Sequence, residues 1–198
     1  MIMAEDMQQI VASVAQQSQS EEQSQIETMQ LIVFTLDGEE YAVPITDINE
    51  ILTSQEVTTM PNAPAFVSGI INVRGTIAVV IDLEKRFGLQ RENQAVSEHI
   101  ILTEVDKSTF GVLVDQVLEV LTVPKDSVKT TPELLSTKIN AEYMSGVVVL
   151  DEDKTNESKT SEDSRLIVLL NLPKLLQTDE LLTVTTAIDS ISPSANSV

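Results

Sequence analysis

Residues Phe66 to Gly88 read FVSGIINVRGTIAVVIDLEKRFG. Two apolar runs, IINV and TIAVVIDL, flank Arg74-Gly75, and the pattern reads as a β-hairpin with a tight turn. The following EKRF closes on Gly88, which reads as a helical C-cap. Upstream, Pro61 and Pro64 mark a loop. Further upstream, LIVFTL, Asp37-Gly38 and EEYAVPI read as another hairpin. A short helical turn is expected after it, with Thr46 or Asp47 as N-cap and Ile48, Ile51 and Leu52 on one side.

The same design recurs downstream. Tyr41-Ala42-Val43 has a counterpart in Phe110-Gly111-Val112, and Ile48 to Leu52 (INEIL) matches Val117 to Leu121 (VLEVL). Phe66 to Ile70 (FVSGI) matches Tyr143 to Val147 (YMSGV), and Ile77 to Leu83 matches Leu166 to Leu172. A lysine follows two places later in both halves, at Lys85 and Lys174. Four blocks in one order argue for two similar halves of about five short strands each. The fold expected is mainly β: two small barrels or curled sheets, with a few short helices and a groove between the units. All six glycines are placed in or near turns. Leu181, Val184, Ile188 and Ile191 have helical spacing, so residues 179–198 read as a short helix and tail.

Composition bounds the function. Apolar residues make up 42%, but there are only four Phe, two Tyr and no Trp, so Val, Ile and Leu must build the core. Formal net charge is −19, which argues against nucleic acid and anionic membrane surfaces as partners. Much of the charge lies in polar segments. Residues 1–28 hold Glu5, Asp6, Glu21, Glu22 and Glu27 and no base, and read as a disordered leader. Within it, Met3, Met7, Ile10 and Val14 recur at helical spacing. Residues 151–164 (DEDKTNESKTSEDS) replace the tight turn of the first half with a long acidic loop. No cysteine is present, which fits a reducing cytoplasm. No run approaches the roughly 18 apolar residues of a membrane span, and the start is not a signal peptide. Direct membrane insertion is therefore not expected.

Catalytic apparatus is sparse. The one histidine, His99, sits at a strand edge, and no G-x-S-x-G, Walker or dinucleotide loop is present. No histidine cluster suits zinc. Asp151, Asp153, Thr155, Glu157 and Glu162 superficially match EF-hand spacing, but Asn156 stands where glycine is needed and the flanks are strands. A metal-dependent hydrolase using these carboxylates is the alternative from another class; the reading adopted is no enzyme, no cofactor and no metal. Arg74, at a hairpin tip, suits pairing with carboxylates across an interface, and Glu50 is a similar candidate.

The segment from Phe66 to Gly88 closely resembles the signature of the CheW family of chemotaxis adaptors. The resemblance extends over residues 29–178 through LIVFTLDGEEYAVPI, INEIL, GVLVD and EYMSGVVVL. It implies one CheW-like domain of two five-stranded SH3-like barrel subdomains, carrying the acidic insertion at 151–164. It also implies a non-enzymatic, cytoplasmic scaffold, recruited to membrane receptor arrays. The implied partners are the CheW-like regulatory domain of the histidine kinase CheA and the cytoplasmic tip of methyl-accepting chemoreceptors. Carried over by motif, Glu50, Ile51 and the signature residue Arg74 belong to the kinase-binding face. Ile48, Ile100 and Val117 belong to the receptor groove. Glu84 departs from the family pattern, which often has a base there. A CheW-like scaffold of another chemosensory pathway, serving pili or a second messenger, fits the same residues.

Overall fold

The computed structural model describes residues 27–53, 55–89, 99–129, 139–151 and 164–191. Ten strands dominate them. They are β1 (Thr28–Leu36), β2 (Glu39–Pro44), β3 (Glu50–Thr53), β4 (Val67–Val73), β5 (Thr76–Asp82), β6 (His99–Val105), β7 (Ser108–Val114), β8 (Gln116–Pro124), β9 (Met144–Asp151) and β10 (Ser164–Leu170). The helices are α1 (Leu83–Phe87), α2 (Leu172–Leu176) and α3 (Asp179–Ile191). The mainly β, SH3-like expectation is met, with two five-stranded sheets in the orders β8-β1-β2-β10-β9 and β3-β6-β7-β5-β4.

The internal repeat is real, but its halves are not the two sheets. Strands β1 to β5 repeat as β6 to β10. Each sheet takes the first two strands of one repeat and the last three of the other. Each sheet has one parallel junction between the repeats, β10 against β2 and β5 against β7, and one antiparallel junction, β8 against β1 and β3 against β6. All other pairings are antiparallel. Because the repeats share one hydrophobic pattern, exchanged and unexchanged pairings are equivalent in sequence, and only the three-dimensional structure separates them.

Three apolar clusters follow from this arrangement. Leu31, Val33, Ala42, Val123, Val148, Ile167 and Leu169 fill the interior of the first sheet. Ile71, Ala78, Val80, Ile100 and Leu102 fill that of the second. The largest cluster lies between the sheets and includes Ile32, Phe34, Tyr41, Val43, Ile81, Ile101, Phe110, Val112, Val168 and Leu170. The space expected to be a groove is thus largely packed core. Successive side chains of a strand point to opposite faces, so β1 sends Leu31 and Val33 into one cluster and Ile32 and Phe34 into another. Helix α3 closes the central layer with Leu181, Val184 and Ile188. Arg86 of α1 joins these parts. Its guanidinium stacks 4.4 Å from the Phe66 ring centroid and donates to Glu180 of α3 at 3.2 Å and to the Tyr143 hydroxyl at 3.3 Å.

Local chemistry sets the element ends. Asp82 caps α1 by accepting from the Lys85 N–H, and its repeat mate Asn171 caps α2 by accepting from the Lys174 N–H. Gly88 ends α1 in the left-handed conformation, as expected. The helical turn expected around INEIL is corrected. Only Ile45–Asp47 forms a 3-10 turn, after Pro44 and without a side-chain cap, while Glu50–Thr53 is a strand. Backbone pairing wins here: the Asn49 N–H donates to the Leu102 carbonyl, and Glu50 lies opposite Leu102. Ile51 therefore faces away from Glu50 and Leu52.

The placement of every glycine near a turn is also corrected, since Gly69, Gly111 and Gly146 lie within strands. At Gly69 and Gly146 the chain following β3 or β8 crosses closely, bridging Thr58 to Ile70 and Lys129 to Val147. A Cβ on Gly69 would overlap the Thr58 carbonyl, and φ is +144° there. Gly38 also has positive φ but faces open space. Gly38→Ala should therefore cost only the left-handed backbone penalty of about 1 to 2 kcal/mol. Gly69→Ala adds a backbone collision and should cost clearly more. Comparing urea midpoints of the two variants checks this, and equal midpoints would refute the crossing as the cause.

Candidate functional site

The Arg74 hairpin begins with pairing of Val73 to Thr76, leaving a two-residue turn. Both turn residues have positive φ, +52° at Arg74 and +91° at Gly75. This twist matches that of the flanking strands. The turn is fixed by the Gly75 N–H, which donates to Asn72 Oδ1 at 2.8 Å. Arg74 thus carries a bulky side chain where glycine, asparagine or aspartate is easier, at a cost of roughly 1 kcal/mol. That side chain is 79% exposed.

Its Nη2 donates to Glu50 Oε1 at 2.8 Å. Glu50 is on β3, one edge of the second sheet, while Arg74 follows β4, the other edge. The pair therefore spans the two edges of a curled sheet. Exposed ion pairs contribute only about 0 to 1 kcal/mol, so this one orients Arg74 more than it stabilises the fold. Ile51, on the opposite face of β3, is 36% exposed.

The other residues singled out from sequence separate in depth. Ile48 and Val117 are half-buried and both pack on the layer between the sheets. Ile100 is fully buried inside the second sheet, opposite Leu52 of β3. It supports β3 from beneath and presents no surface of its own. Glu84 is buried in the first turn of α1.

A matching constellation was not singled out from sequence. Arg165 of β10 donates to Glu40 of β2 at 2.6 Å and to Glu119 of β8 at 2.5 Å. Glu40, then Glu119, hold its guanidinium charged beyond the ordinary arginine range. Nearby in sequence, Leu118, Val120 and Leu166 are exposed. The alignment of INEIL with VLEVL already paired Glu50 with Glu119 and Ile51 with Val120. That was the available signal.

Among the described residues, no group of three or more His, Cys, Asp or Glu is placed to hold a metal ion. Asp153, Thr155, Glu157 and Glu162 of the acidic loop lie outside the described residues, as do Met3, Met7, Ile10 and Val14 of the leader. No helix among the described residues is long and apolar enough to cross a membrane. His99 lies at the start of β6, between Thr53 and Val114, with no acid–base partner in hydrogen-bond reach of its buried Nδ1 among the described residues.

If the Arg74–Glu50 pair is an orienting contact on a strained turn, stability should not depend on the arginine. Arg74→Asn, a better residue for this turn, should leave the chain as stable as before or up to about 1 kcal/mol more stable. Chemical denaturation checks this. A loss well above 1 kcal/mol would make Arg74 a structural residue.

Comparison with known proteins agrees with this architecture. The CheW-like domain family model matches residues 30–180. The chain is 31% identical over 159 residues to the chemotaxis protein CheW of Treponema pallidum, covering 78% of this chain and 86% of the relative. It is 30% identical over 152 residues to CheW of Klebsiella aerogenes, covering 77% and 84%. The crystal structure of the scaffolding protein TtCheW from Thermoanaerobacter tengcongensis superposes with a TM-score of 0.65 at 29% identity, covering 78% of this chain and 91% of that one. With the strand signature, the paired sheets and these relatives in agreement, the chain belongs to the CheW family of non-enzymatic chemotaxis scaffolds.

Proposed function

We propose that this protein couples methyl-accepting chemoreceptors to the histidine kinase CheA, holding both without chemistry of its own. The CheW family couples receptors with CheA in general, and that role is carried over to this chain. Arg74, Glu50 and Ile51 form the face toward the CheW-like regulatory domain of CheA. Ile48 and Val117, at the rim of the central layer, form the receptor groove, with Ile100 shaping it from below. The cytoplasmic tip of the receptor occupies that groove and brings the adaptor to the array at the membrane.

The observation that carries this reading is the Arg74 turn. A four-fifths exposed arginine on left-handed backbone adds little to folding, yet it is aimed by Glu50, the strand neighbour of Ile51, which is exposed on the other face of edge strand β3. Apolar contact through Ile51 supplies affinity, and the charged pair selects the partner.

The test is titration of the full chain into the isolated regulatory domain of CheA from the same organism. Arg74→Ala should remain folded and bind about tenfold more weakly or worse, the loss expected for a charge-assisted contact in an interface. Unchanged binding by that variant would remove Arg74 from the face. Ile51→Ala and Ile100→Ala separate surface from core. The first should weaken binding with little effect on stability. The second should cost roughly 2 to 5 kcal/mol of stability, as a buried truncation does.

A further inference from the structure

The second sheet carries two bulky cations on left-handed backbone at neighbouring tips. One is Arg74; the other is Lys107, at φ +68° in the β6–β7 turn. The remaining non-glycine residues of this kind among the described residues are Asp37, Asn62 and Asp106, types that adopt it more readily. Arg74 is engaged by Glu50. Lys107 makes no ion pair among the described residues. Parallel pairing of β5 with β7, Ala78 opposite Thr109, brings Thr76 beside Lys107. Helix α3 packs against the same end.

A cavity of about 150 Å³ lies between these parts, bordered by Lys107, Thr76, Ser108, Thr109 and Thr185. Its apolar remainder comes from β5 and α3. Among the described residues no carboxylate lines it, in a chain where 31 acids face 12 bases. The adjacent Asp106 carboxylate accepts from Gln177 at 2.8 Å. Thr185 donates its hydroxyl proton to the Leu181 and Leu182 carbonyls, so it offers only lone pairs. The available donors are therefore the Lys107 ammonium and the hydroxyls of Thr76, Ser108 and Thr109. The volume exceeds the roughly 30 Å³ share of one water several-fold and is too small for a nucleotide.

We propose that this cavity binds a small free oxyanion of the phosphate or carboxylate class. Lys107 supplies the counter-charge and the three hydroxyls supply directed hydrogen bonds. Thr185 and Ile188, which wall it on the α3 side, lie beyond residue 180, where the family model ends. The site thus depends on an element outside that model. Its other wall is the hairpin whose turn is Arg74-Gly75, so an anion here would brace α3 against the base of the proposed kinase-binding tip. The proposal stands independently of the adaptor reading.

The test is a ¹H–¹⁵N NMR titration of the full chain with inorganic phosphate, ionic strength being held constant with chloride. Parallel arms use acetate and O-phosphoserine. Saturable shifts confined to the amides of Thr76, Lys107, Ser108, Thr109 and Thr185 support the site. Lys107→Gln should then weaken phosphate binding about tenfold, as loss of a charged hydrogen bond does. Thr109→Val, of nearly equal shape, should weaken it by a smaller factor. Shifts that fail to saturate, or that persist unchanged in Lys107→Gln, would overturn the proposal. Binding of O-phosphoserine alone would also overturn it, since the site would then read a phosphorylated chain and not a free anion.

Discussion

The apolar layer between the two sheets is the constraint on which the rest of the molecule depends. Strands β1 and β6 each serve two cores at once. In β1, Ile32 and Phe34 enter the layer while Leu31 and Val33 fill the first sheet. In β6, Ile101 enters the layer while Ile100 and Leu102 fill the second. Strands buried on both faces must read as continuous apolar runs, and these do. Strand exchange then ties the layer to the connectivity. Neither repeat can leave the other without breaking the parallel pairings of β2 with β10 and β5 with β7 and the antiparallel pairings of β1 with β8 and β3 with β6. Two units joined this way form one body, and partners must approach its rims.

Those rims carry the residues proposed to meet the partners. Residues deep in the layer, such as Phe34 and Phe110, have no exposed surface to spend on a partner. Residues one strand farther out, Ile48, Ile51, Val117 and Val120, are half-buried or exposed. The same apolar pattern that builds the core therefore ends in exposed aliphatic surface. Charge is arranged beside it in pairs, Glu50 with Arg74 and Glu119 with Arg165; the two glutamates are mates in the internal repeat, whereas the arginines come from different positions of it. In a chain of net charge −19, each pair neutralises an acid next to an exposed aliphatic side chain and lowers the cost of covering it.

Much of this was legible in the sequence, for identifiable reasons. The Asp37-Gly38 and Arg74-Gly75 hairpins declare themselves by turn chemistry between apolar runs. The Gly88 cap does so by residue type, and the helix ending at Ile191 by the spacing of Leu181, Val184 and Ile188. The repeat gave the number of strands but not their partners, because both repeats satisfy the same pattern. INEIL was misread since five residues cannot distinguish a helical turn from an edge strand, and the deciding bonds come from Leu102, some fifty positions away. Gly69 and Gly146 were misplaced for the same reason: what requires them is a crossing chain, not a local turn. At the site, Arg74 and Glu50 emerged from residue type and resemblance, whereas the burial of Ile100 and the engagement of Arg165 by two carboxylates needed coordinates.

The central claim is that this chain transmits receptor state to a kinase through surfaces at the rim of a rigid body. Its most direct measurement is CheA autophosphorylation in a reconstituted mixture of receptor, kinase and this protein, with and without receptor ligand. The account predicts that adding the protein makes kinase activity depend on the receptor ligand. Kinase activity indifferent to the folded protein, at concentrations that saturate its partners, would contradict it.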